Sequence, residues 1–368
     1  MAVFLDLSKA FDTINHKILL DKLNHYRIRG VALDWFKSYL SDRTQFVSYS
    51  GSRSPNRSVT CGVPQGSVLG PLLFIIYTND LPKTLVNSRC ILFADDTTIY
   101  HTNSNKQKLI QDIEHDLAHL VDWFAANKLS LNITKTNFLV FGDKYDHSLD
   151  NSVNEIHLGN QVINRINCSK FLGIFIDDEL VWNQHIEYIS KKVTSGLYAI
   201  NSCKRFLSSS NLKLLYFSLV HTHLSYGTMI WGGTYKTHIH KLEIIQKKAI
   251  RSIYKANYNA HTSPLFKKSN ILKLCDIFNI QIGKLVFKCI NQLSPPSLSD
   301  LFTRNADFHS YQTRNNNNPR ALKPNALLVS QNFVIRAPAM WSTLPNKIKI
   351  LKSLGAFCYR LKHYLAKI

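Results

Sequence analysis

The sequence predicts an α+β unit over residues 1–180, followed by a mostly helical and strongly basic region. Short strand-like runs alternate with helical patterns in the first half, whereas the pattern from about residue 183 onward is largely helical. Charge divides the chain in the same place, because residues 1–180 contain 18 Lys and Arg against 19 Asp and Glu, while residues 181–368 contain 27 against 5. At 368 residues and 45% hydrophobic content, the chain can bury a large core.

Periodicity and turn residues predict the elements of the first half. An apolar run that ends at Asp6 is typical of a buried strand, and apolar residues at helical spacing over 106–129 indicate an amphipathic helix that covers a sheet. The further elements expected from these patterns are helices at 15–28 and 31–41, hairpin strands at 43–50 and 57–61, a buried helix at 68–80, and strands at 137–141, 156–158 and 168–176.

Two adjacent carboxylates, Asp95 and Asp96, separate an apolar run at 90–93 from a β-prone run at 97–100. This order predicts a hairpin with the acids at its turn. Adjacent like charges repel, so acids that face inward need a counter-charge, and a divalent metal ion supplies it directly. A third acid, Asp6, would complete a site for two Mg²⁺ ions if its strand is a neighbour. The alternatives are a solvated Asp-Asp turn and a helix-capping Asp6.

A loop rich in Gly and Pro, residues 61–71, lies between these acids in the sequence. Its composition predicts a turn. Gly66 permits close approach of a ligand to the backbone, and the Gln65 amide can both donate and accept hydrogen bonds. Taken alone, a purely structural loop is the commoner explanation.

In this order the motifs resemble those of the reverse transcriptase of non-LTR (LINE-type) retrotransposons of the jockey/CR1-like kind. Residues 4–12 resemble polymerase motif A, residues 62–67 motif B and residues 93–96 motif C. Residues 123–136 resemble motif D, and residues 171–177 resemble the primer-grip hairpin of motif E. The resemblance continues into the helical region and covers nearly the whole chain.

The resemblance implies a right-hand polymerase architecture. Residues 1–180 would form the palm, an antiparallel sheet plus helices, with only part of the fingers. Residues 181–260 would form a mostly helical thumb, and residues 261–368 a basic C-terminal extension with a polar linker near 303–325. Because the chain begins a few residues before motif A, the resemblance also implies a fragment truncated at the N-terminus, with weak or absent activity.

The resemblance also implies the chemistry of the site. Asp6, Asp95 and Asp96, with the backbone carbonyl of Leu7, would bind two Mg²⁺ ions, for which Mn²⁺ could substitute. The reaction would be attack of a primer 3′-hydroxyl on the α-phosphorus of a dNTP, directed by an RNA template and a DNA primer. Lys135 would assist the departing pyrophosphate, unless it is an ordinary surface lysine.

Further residues would bind the substrates by the same resemblance. An aromatic ring would lie under the sugar and exclude a 2′-hydroxyl, the Pro-Gln-Gly loop would line the nascent pair and template, and a hairpin turn would hold the primer end. The residues in these three roles are, in chain order, Phe11, Pro64, Gln65, Gly66, Phe171, Leu172 and Gly173. A core aromatic, a structural turn and a core strand are the respective alternatives.

The basic second half predicts a polyanionic partner, most plausibly nucleic acid. No run approaches the roughly 20 apolar residues of a membrane-spanning helix, and no basic leader precedes the first apolar run. We therefore expect an intracellular protein, cytoplasmic or nuclear, that is not secreted and has no membrane partner. Its oligomeric state stays open.

Three other functions are compatible with parts of this pattern. An inactive remnant without fingers could bind RNA through its basic half alone. An RNA-dependent RNA polymerase shares motifs A to C, although Phe11 disfavours it. A two-metal nuclease would explain the carboxylates but not the Pro-Gln-Gly loop.

Overall fold

The chain, as a computed structural model, has a mixed helix-and-sheet architecture, as the sequence predicts. The structure describes residues 1–142, 154–159, 161–303, 305, 318–320 and 332–367. Two compact units divide the chain, Met1–Ser169 and Lys170–Ile368. Most of the polar linker expected near 303–325 lies outside the described residues.

The first unit alternates strands with helices. Its elements are β1 (Ala2–Leu5), α1 (His16–His25), α2 (Val31–Leu40), β2 (Thr44–Gln45), β3 (Ser48–Tyr49), β4 (Ser52–Arg53), β5 (Arg57–Ser58), α3 (Leu69–Thr78), β6 (Arg89–Phe93), β7 (Asp96–Tyr100), α4 (Lys106–Ala126), β8 (Asn137–Leu139), β9 (Glu155–Leu158) and β10 (Gln161–Asn164). Asn15 and Asn105 are the N-cap residues of α1 and α4, and their side chains accept hydrogen bonds from backbone N–H groups of the first helical turn. The strand β10 was not predicted.

A four-stranded antiparallel sheet in the order β6-β7-β1-β8 is the centre of this unit. Side chains alternate between the two faces of a strand, so Val3 and Leu5 share one face, and both are buried. The predicted amphipathic helix α4 contributes its apolar side to the same core, including Ile113, Leu117 and Leu120. The opposite face of β1 therefore carries Phe4 and, one step beyond the strand, Asp6.

Two predictions for the first unit are wrong in detail. The single hairpin expected at 43–50 and 57–61 consists of two short pairs, β2 with β5 and β3 with β4. The helix α3 is buried on one side only, since Phe74 and Tyr77 lie in the core while Leu72 and Ile75 are exposed. An almost wholly apolar helix has no polar stripe, so its sequence cannot show which side faces solvent.

The second unit begins within a hairpin, whose first strand starts two residues before the unit boundary, and continues as helices. Its elements are β11 (Cys168–Phe171), β12 (Ile174–Asp177), α5 (Asn183–Cys203), α6 (Ser209–Tyr216), α7 (Thr222–Ser225), α8 (Thr228–Trp231), α9 (Lys236–Ile253), α10 (Thr262–Ser269), α11 (Leu274–Ile290), α12 (Pro296–Ser299), α13 (Phe333–Thr343), α14 (Asn346–Lys349) and α15 (Leu354–Lys367). The single strand predicted at 168–176 is therefore wrong, because a turn at Leu172 and Gly173 divides it; both residues have a left-handed φ, of 46° and 83°.

One hydrophobic core joins the helices of the second unit. Trp231 from α8, Phe287 from α11 and Phe357 from α15 are all fully buried in it. The described part of residues 261–368 thus packs on the same core as α5 and α9. Every helix that the structure describes is too short or too polar to cross a bilayer.

Candidate active site

The three predicted acids meet at one end of the central sheet. In the pairing of β1 with β7, Leu5 lies opposite Thr97, and the same register extended by one residue sets Asp6 opposite Asp96. Directly opposite residues in an antiparallel pair point to the same face, with Cβ atoms about 4.5–5.5 Å apart. Asp95 lies in the turn that connects β6 to β7. We call Asp6, Asp95 and Asp96 the acid face.

The turn that holds Asp95 is tight. Phe93 pairs with Asp96, so two residues close the hairpin, and the first of them, Ala94, has a left-handed φ of 52°. This conformation costs a non-glycine residue about 1–2 kcal/mol. The fold tolerates that cost at the position that brings Asp95 beside Asp96.

Electrostatic repulsion is visible at the acid face. Partial burial, followed by the negative charges of Asp95 and Asp6, raises the pKa of the Asp96 carboxyl above its usual range. Within the described part of the chain, the Asp95 and Asp96 carboxylates accept no hydrogen bond and contact no cation. Lys135 Nζ lies 3.8 Å from Asp6 Oδ2, and both side chains are accessible to solvent. A ligand of positive charge would therefore relieve repulsion that this part of the chain leaves in place.

The segment that carries Lys135 is fastened to the end of β1. The backbone N–H of Asp6 donates to Thr136 Oγ1 at 3.3 Å, and its carbonyl accepts from the N–H of Asn132 at 2.8 Å. The N–H of Ser8 donates to a carbonyl of the same segment at 2.8 Å. None of these bonds uses the carbonyl of Leu7. The structure thus brings Lys135 close to the acid face. The Leu7 carbonyl takes no part in the hydrogen bonds that join these two segments.

The donor set of the acid face suits a hard divalent cation. Carboxylate and carbonyl oxygens are the protein ligands that Mg²⁺ and Mn²⁺ prefer, and Mg²⁺ usually retains positions for water or phosphate oxygens. Three neighbouring carboxylates, of which Asp95 and Asp96 accept no hydrogen bond from the described residues, meet both conditions. The residues that could hold such ions are Asp6, Leu7 through its carbonyl, Asp95 and Asp96.

The Pro-Gln-Gly loop, residues 61–71, is hydrogen-bonded to the residues that follow β1. The N–H of Val63 donates to the carbonyl of Phe11 at 2.9 Å. Gly62 has a left-handed φ of 85°, and a Cβ there would lie only 2.8 Å from the carbonyl oxygen of Asp12. Only glycine permits this close crossing without displacing the backbone. The loop therefore lies directly against the residues that follow Asp6.

The side chains of the loop have distinct surroundings. Gln65 Nε2 donates to Asp12 Oδ1 at 2.9 Å, so Asp12 orients the glutamine. The carbonyl of Pro64 accepts from the hydroxyl of Ser67 at 2.8 Å, within the turn that leads into α3. Gly66 has a left-handed φ of 82° and open space where a Cβ would lie.

Phe11 is half-buried and stacks on Phe74 of α3, with ring centroids 4.7 Å apart. Because Phe74 is fully buried, the contact holds the Phe11 ring in place from below. The Phe11 side chain stays partly accessible to solvent. The ring is thus a core contact and an accessible surface at once.

The three remaining predicted residues lie in the second unit. Phe171, Leu172 and Gly173 form the end of β11 and the turn before β12. Tyr226 donates its hydroxyl to the carbonyl of Leu172 at 2.5 Å, and its ring lies 3.4 Å from where a Cβ on Gly173 would be. The indole N–H of Trp231 in turn donates to the carbonyl of Tyr226. Tyr226 therefore positions this turn, a role that sequence reasoning missed.

Asp116 on α4 was also missed by the sequence analysis. It is completely buried, and its two oxygens accept hydrogen bonds from the N–H groups of Val86, Asn87 and Ser88. Burial acts to raise its pKa, but these hydrogen bonds outweigh burial and hold the pKa below the usual range. The carboxylate thereby orders the chain just before β6, the strand that leads to Asp95.

A signal for Asp116 was available in the sequence. It lies three residues after Ile113 and four before Leu120, on the apolar side of the helix, where a polar residue needs internal partners. His115 and His119 lie close enough to it to form a potential metal cluster. The oxygens of Asp116 are already occupied by backbone donors, so its arrangement is that of a structural carboxylate.

Comparison with known proteins identifies similar sequences. Residues 1–174 match the sequence profile of the family described as reverse transcriptase (RNA-dependent DNA polymerase). The chain is 27% identical to the probable RNA-directed DNA polymerase of transposon X-element of Drosophila melanogaster, over 76% of this chain and 30% of that protein. The chain is also 27% identical to the RNA-directed DNA polymerase of the mobile element jockey from the same organism, over 75% of this chain and 31% of that protein.

A third relative in that organism, the probable RNA-directed DNA polymerase of transposon BS, is 28% identical over 73% of this chain and 30% of its own length. The chain thus spans about 30% of the length of these curated relatives. Among solved structures, telomerase from Candida albicans aligns with 74% of this chain and with 49% of the telomerase chain. The TM-score is 0.36 and the sequence identity is 12%.

Proposed function

We propose, from the premise that residues 1–174 form a reverse transcriptase domain, that this chain is an RNA-directed DNA polymerase that adds a dNTP to the 3′-hydroxyl of a DNA primer on an RNA template. The observation that carries the proposal is the acid face, where the register of β1 and β7 sets Asp6 beside Asp96 and the hairpin turn adds Asp95. Phosphoryl transfer depends mostly on positioning and charge neutralisation, which such a cluster provides.

The acid face would hold the divalent ions that reverse transcriptases generally use, and we infer two Mg²⁺ ions. At Asp6, Asp95 and Asp96 such ions would supply neutralisation of phosphate charge and would favour ionisation of the primer hydroxyl. Asp96 would be held by its place in β7, Asp6 by its backbone hydrogen bonds to Asn132 and Thr136, and Asp95 by the turn. The Leu7 carbonyl offers one further oxygen on the same segment.

The surrounding residues orient the substrates and move a proton. Lys135 lies close enough to Asp6 for its ammonium group to face the triphosphate and to donate a proton or screen charge as pyrophosphate leaves. The Phe11 ring, supported by Phe74, is the surface on which the sugar rests and where a 2′-hydroxyl would collide. Gln65, oriented by Asp12, contacts the nascent pair alongside Pro64 and Gly66.

The two units then receive the roles of a right-hand polymerase. Residues 1–180 serve as palm with part of the fingers, residues 181–260 as thumb, and residues 261–368 as a C-terminal extension. The turn at 171–173, positioned by Tyr226, holds the primer end. These assignments rest on the resemblance of the motifs and on the placement of the acids.

Primer extension by the full chain, with an RNA template, a DNA primer and Mg²⁺, tests the function. Asp6→Asn and Asp95→Asn should each lower the extension rate at least about 100-fold while primer–template binding persists. Asp21→Asn, an exposed carboxylate on α1, is the matched control and should extend normally. Extension by the Asp95→Asn chain at the rate of the unchanged chain would refute the proposal.

The sugar-selecting role of Phe11 has its own test. Phe11→Ala should raise the ratio of rNTP to dNTP incorporation by about tenfold or more, because it removes the surface that excludes the 2′-hydroxyl. Phe11→Tyr keeps the ring and should keep the selectivity. Steady-state kcat/KM for each nucleotide is the measurement. An unchanged ratio in the Phe11→Ala chain would assign the ring to the core alone.

A further inference from the structure

A cluster of nitrogen and oxygen donors lies on α4, outside the acid face. His115 and His119, here named the histidine pair, are both exposed, and the neighbouring Asp116 is completely buried. One donor atom from each of these three residues lies within 4.8 Å of the other two. The chemistry proposed for the acid face uses neither histidine, so the pair is free for a different ligand.

Helical spacing brings the two rings together. Residues four apart lie on the same side of an α-helix, one turn from each other. The ring centroids of the histidine pair are 4.5 Å apart, and the ring planes are inclined by 62°. Rotation of a histidine ring about its terminal torsion is broad, so the nitrogens of inclined rings can converge on one point. A tetrahedral zinc ion with Zn–N bonds of about 2.0–2.1 Å needs its donors about 3.3 Å apart, which such a rotation provides.

The surroundings of each ring leave one nitrogen available to an ion. His119 Nδ1 lies 3.3 Å from the carbonyl oxygen of Thr84. A carbonyl can only accept, so Nδ1 carries the proton of the neutral ring and Nε2 keeps its lone pair. His115 Nδ1 lies 3.7 Å from Asp116 Oδ1, whose negative charge favours a proton on the same nitrogen. Among the residues that the structure describes, neither Nε2 atom has a hydrogen-bond partner, and histidines that bind metals are usually oriented in this way.

The charge beside the histidine pair favours a cation. Asp116 keeps its hydrogen bonds to the backbone N–H groups of residues 86–88, so its carboxylate stays in place and attracts an ion without binding it. Within the described part of the chain, no lysine or arginine contacts either ring. The site therefore offers two neutral nitrogens beside a fixed anion, whereas Mg²⁺ requires oxygen ligands.

We propose that the histidine pair binds one divalent transition-metal ion, such as Zn²⁺, through the two Nε2 atoms, with water in the remaining positions. Imidazole nitrogen suits Zn²⁺, Cu²⁺ and Ni²⁺, whereas carboxylates and water suit Mg²⁺ and Mn²⁺. Thr84 ends the 3-10 turn Leu81–Thr84 and accepts from His119, so a bound ion would also fix α4 against the chain that leads to β6. The inference does not depend on the chemistry of the acid face.

Isothermal titration calorimetry of the full chain with Zn²⁺ tests this site, in excess Mg²⁺ so that sites for hard ions are already filled. His115→Ala and His119→Ala should each weaken Zn²⁺ binding at least about tenfold, because each removes one of two ligands. His25→Ala, which removes an exposed histidine of α1, is the matched control and should leave the affinity within about twofold. Circular dichroism melting without zinc should agree within about 2 °C for all chains, since the three rings are exposed.

Absorption of Co²⁺ in place of Zn²⁺ separates the histidine pair from the exposed thiols of Cys61 and Cys275. Cobalt bound by thiolates has an intense charge-transfer band in the near ultraviolet, which imidazole ligands do not produce. We expect visible ligand-field bands without the thiolate band, and both His115→Ala and His119→Ala should remove them. Unchanged zinc affinity in either of these variants, an equal loss in the His25→Ala chain, or a thiolate band as the only signal would overturn the proposal.

Discussion

The acid face and a cluster of cations at the C-terminal ends of α5 and α9, here named the basic hollow, are both clusters of like charge, but they are assembled in different ways. The acids come from β1 and from the β6–β7 hairpin, about 90 residues apart, and strand register aligns them. The cations come from the ends of two helices that pack on one core, and they line a cavity of about 490 Å³; they are Lys204, Arg205, Lys248, Arg251 and Lys255. The acid face has one nearby cation, Lys135, for its three carboxylates, and no carboxylate of the described residues contacts the basic hollow, so each cluster is complementary to a ligand of opposite sign. Like charge held together by a fold indicates a ligand more clearly than net charge does.

The largest expected effect appears when a variant of each cluster is measured in both assays, primer extension and single-strand binding. Asp95→Asn should reduce primer extension at least about 100-fold yet bind single-stranded RNA in EDTA as the unchanged chain does. The Lys204→Glu and Lys248→Glu pair should do the reverse, losing single-strand affinity while the extension rate at saturating primer–template stays within about twofold. Rates from rapid-quench extension and affinities from anisotropy report both. Loss of both properties in either variant would contradict the assignment of separate roles to the two clusters.

Asp116 contrasts with the acid face, because its carboxylate accepts hydrogen bonds from backbone N–H groups of the chain itself. Asp116→Asn should lower the free energy of unfolding by about 3 kcal/mol, since a buried amide cannot accept all the backbone hydrogen bonds. The folded pKa lies below the unfolded one, so the difference from the unchanged chain is full above about pH 4 and disappears as the pH falls through the folded pKa.

Urea unfolding of both chains between pH 3 and pH 7 measures this difference. Asp122→Asn changes an exposed carboxylate on the same helix and should leave stability within about 0.5 kcal/mol. A stability difference that grows toward low pH would contradict the assignment of Asp116 as an ionised, hydrogen-bonded carboxylate.

Lys135 is the cation that approaches the acid face from within the chain. Lys135→Gln should lower the single-turnover extension rate by about tenfold or more with little change in the KM for dNTP, because a proton donor acts in the chemical step. Lys83→Gln removes an exposed lysine elsewhere in the first unit and serves as control. A rise in KM with an unchanged rate would instead make Lys135 a nucleotide-binding residue.

The smallest expected effect concerns repulsion at the acid face itself. Without divalent ions, Asp96→Asn should raise the melting temperature by about 2 °C, since it removes one of three neighbouring negative charges. Addition of Mg²⁺ should stabilise the unchanged chain more than the variant, because only the former retains all three ligands. Differential scanning calorimetry in EDTA and in Mg²⁺ measures both. A lower melting temperature of the variant in EDTA would mean that the carboxylate is stabilised within the fold.

The local features of the candidate site could be predicted from the sequence. The hairpin at Asp95 and Asp96, the strand before Asp6 and the amphipathic helix α4 all follow from patterns within about 20 residues. The covered side of α3 could not, because a uniformly apolar run does not record which side is covered. The turn that divides residues 168–176 was expected only from the resemblance to the primer-grip hairpin, since the local pattern of that run indicates one strand.

Contacts between distant segments account for the rest. Asp12 orients Gln65 from 53 positions away, Tyr226 positions Leu172 from 54 positions away, and Asp116 accepts from N–H groups about 30 positions earlier. Hydrogen bonds of this kind leave no period in the sequence. Of these three contacts, only that of Asp116 left a signal in the sequence, an acid within the apolar stripe of a helix.

By itself, the sequence determined which residues could do chemistry and that each acid follows or joins a strand, because apolar periodicity records local burial. Only the tertiary structure decided that β1 lies beside β7 and that the ends of α5 and α9 enclose a cavity. The packing of a shared core selects those neighbours, and it does so through contacts between segments whose order along the chain does not reveal their partners.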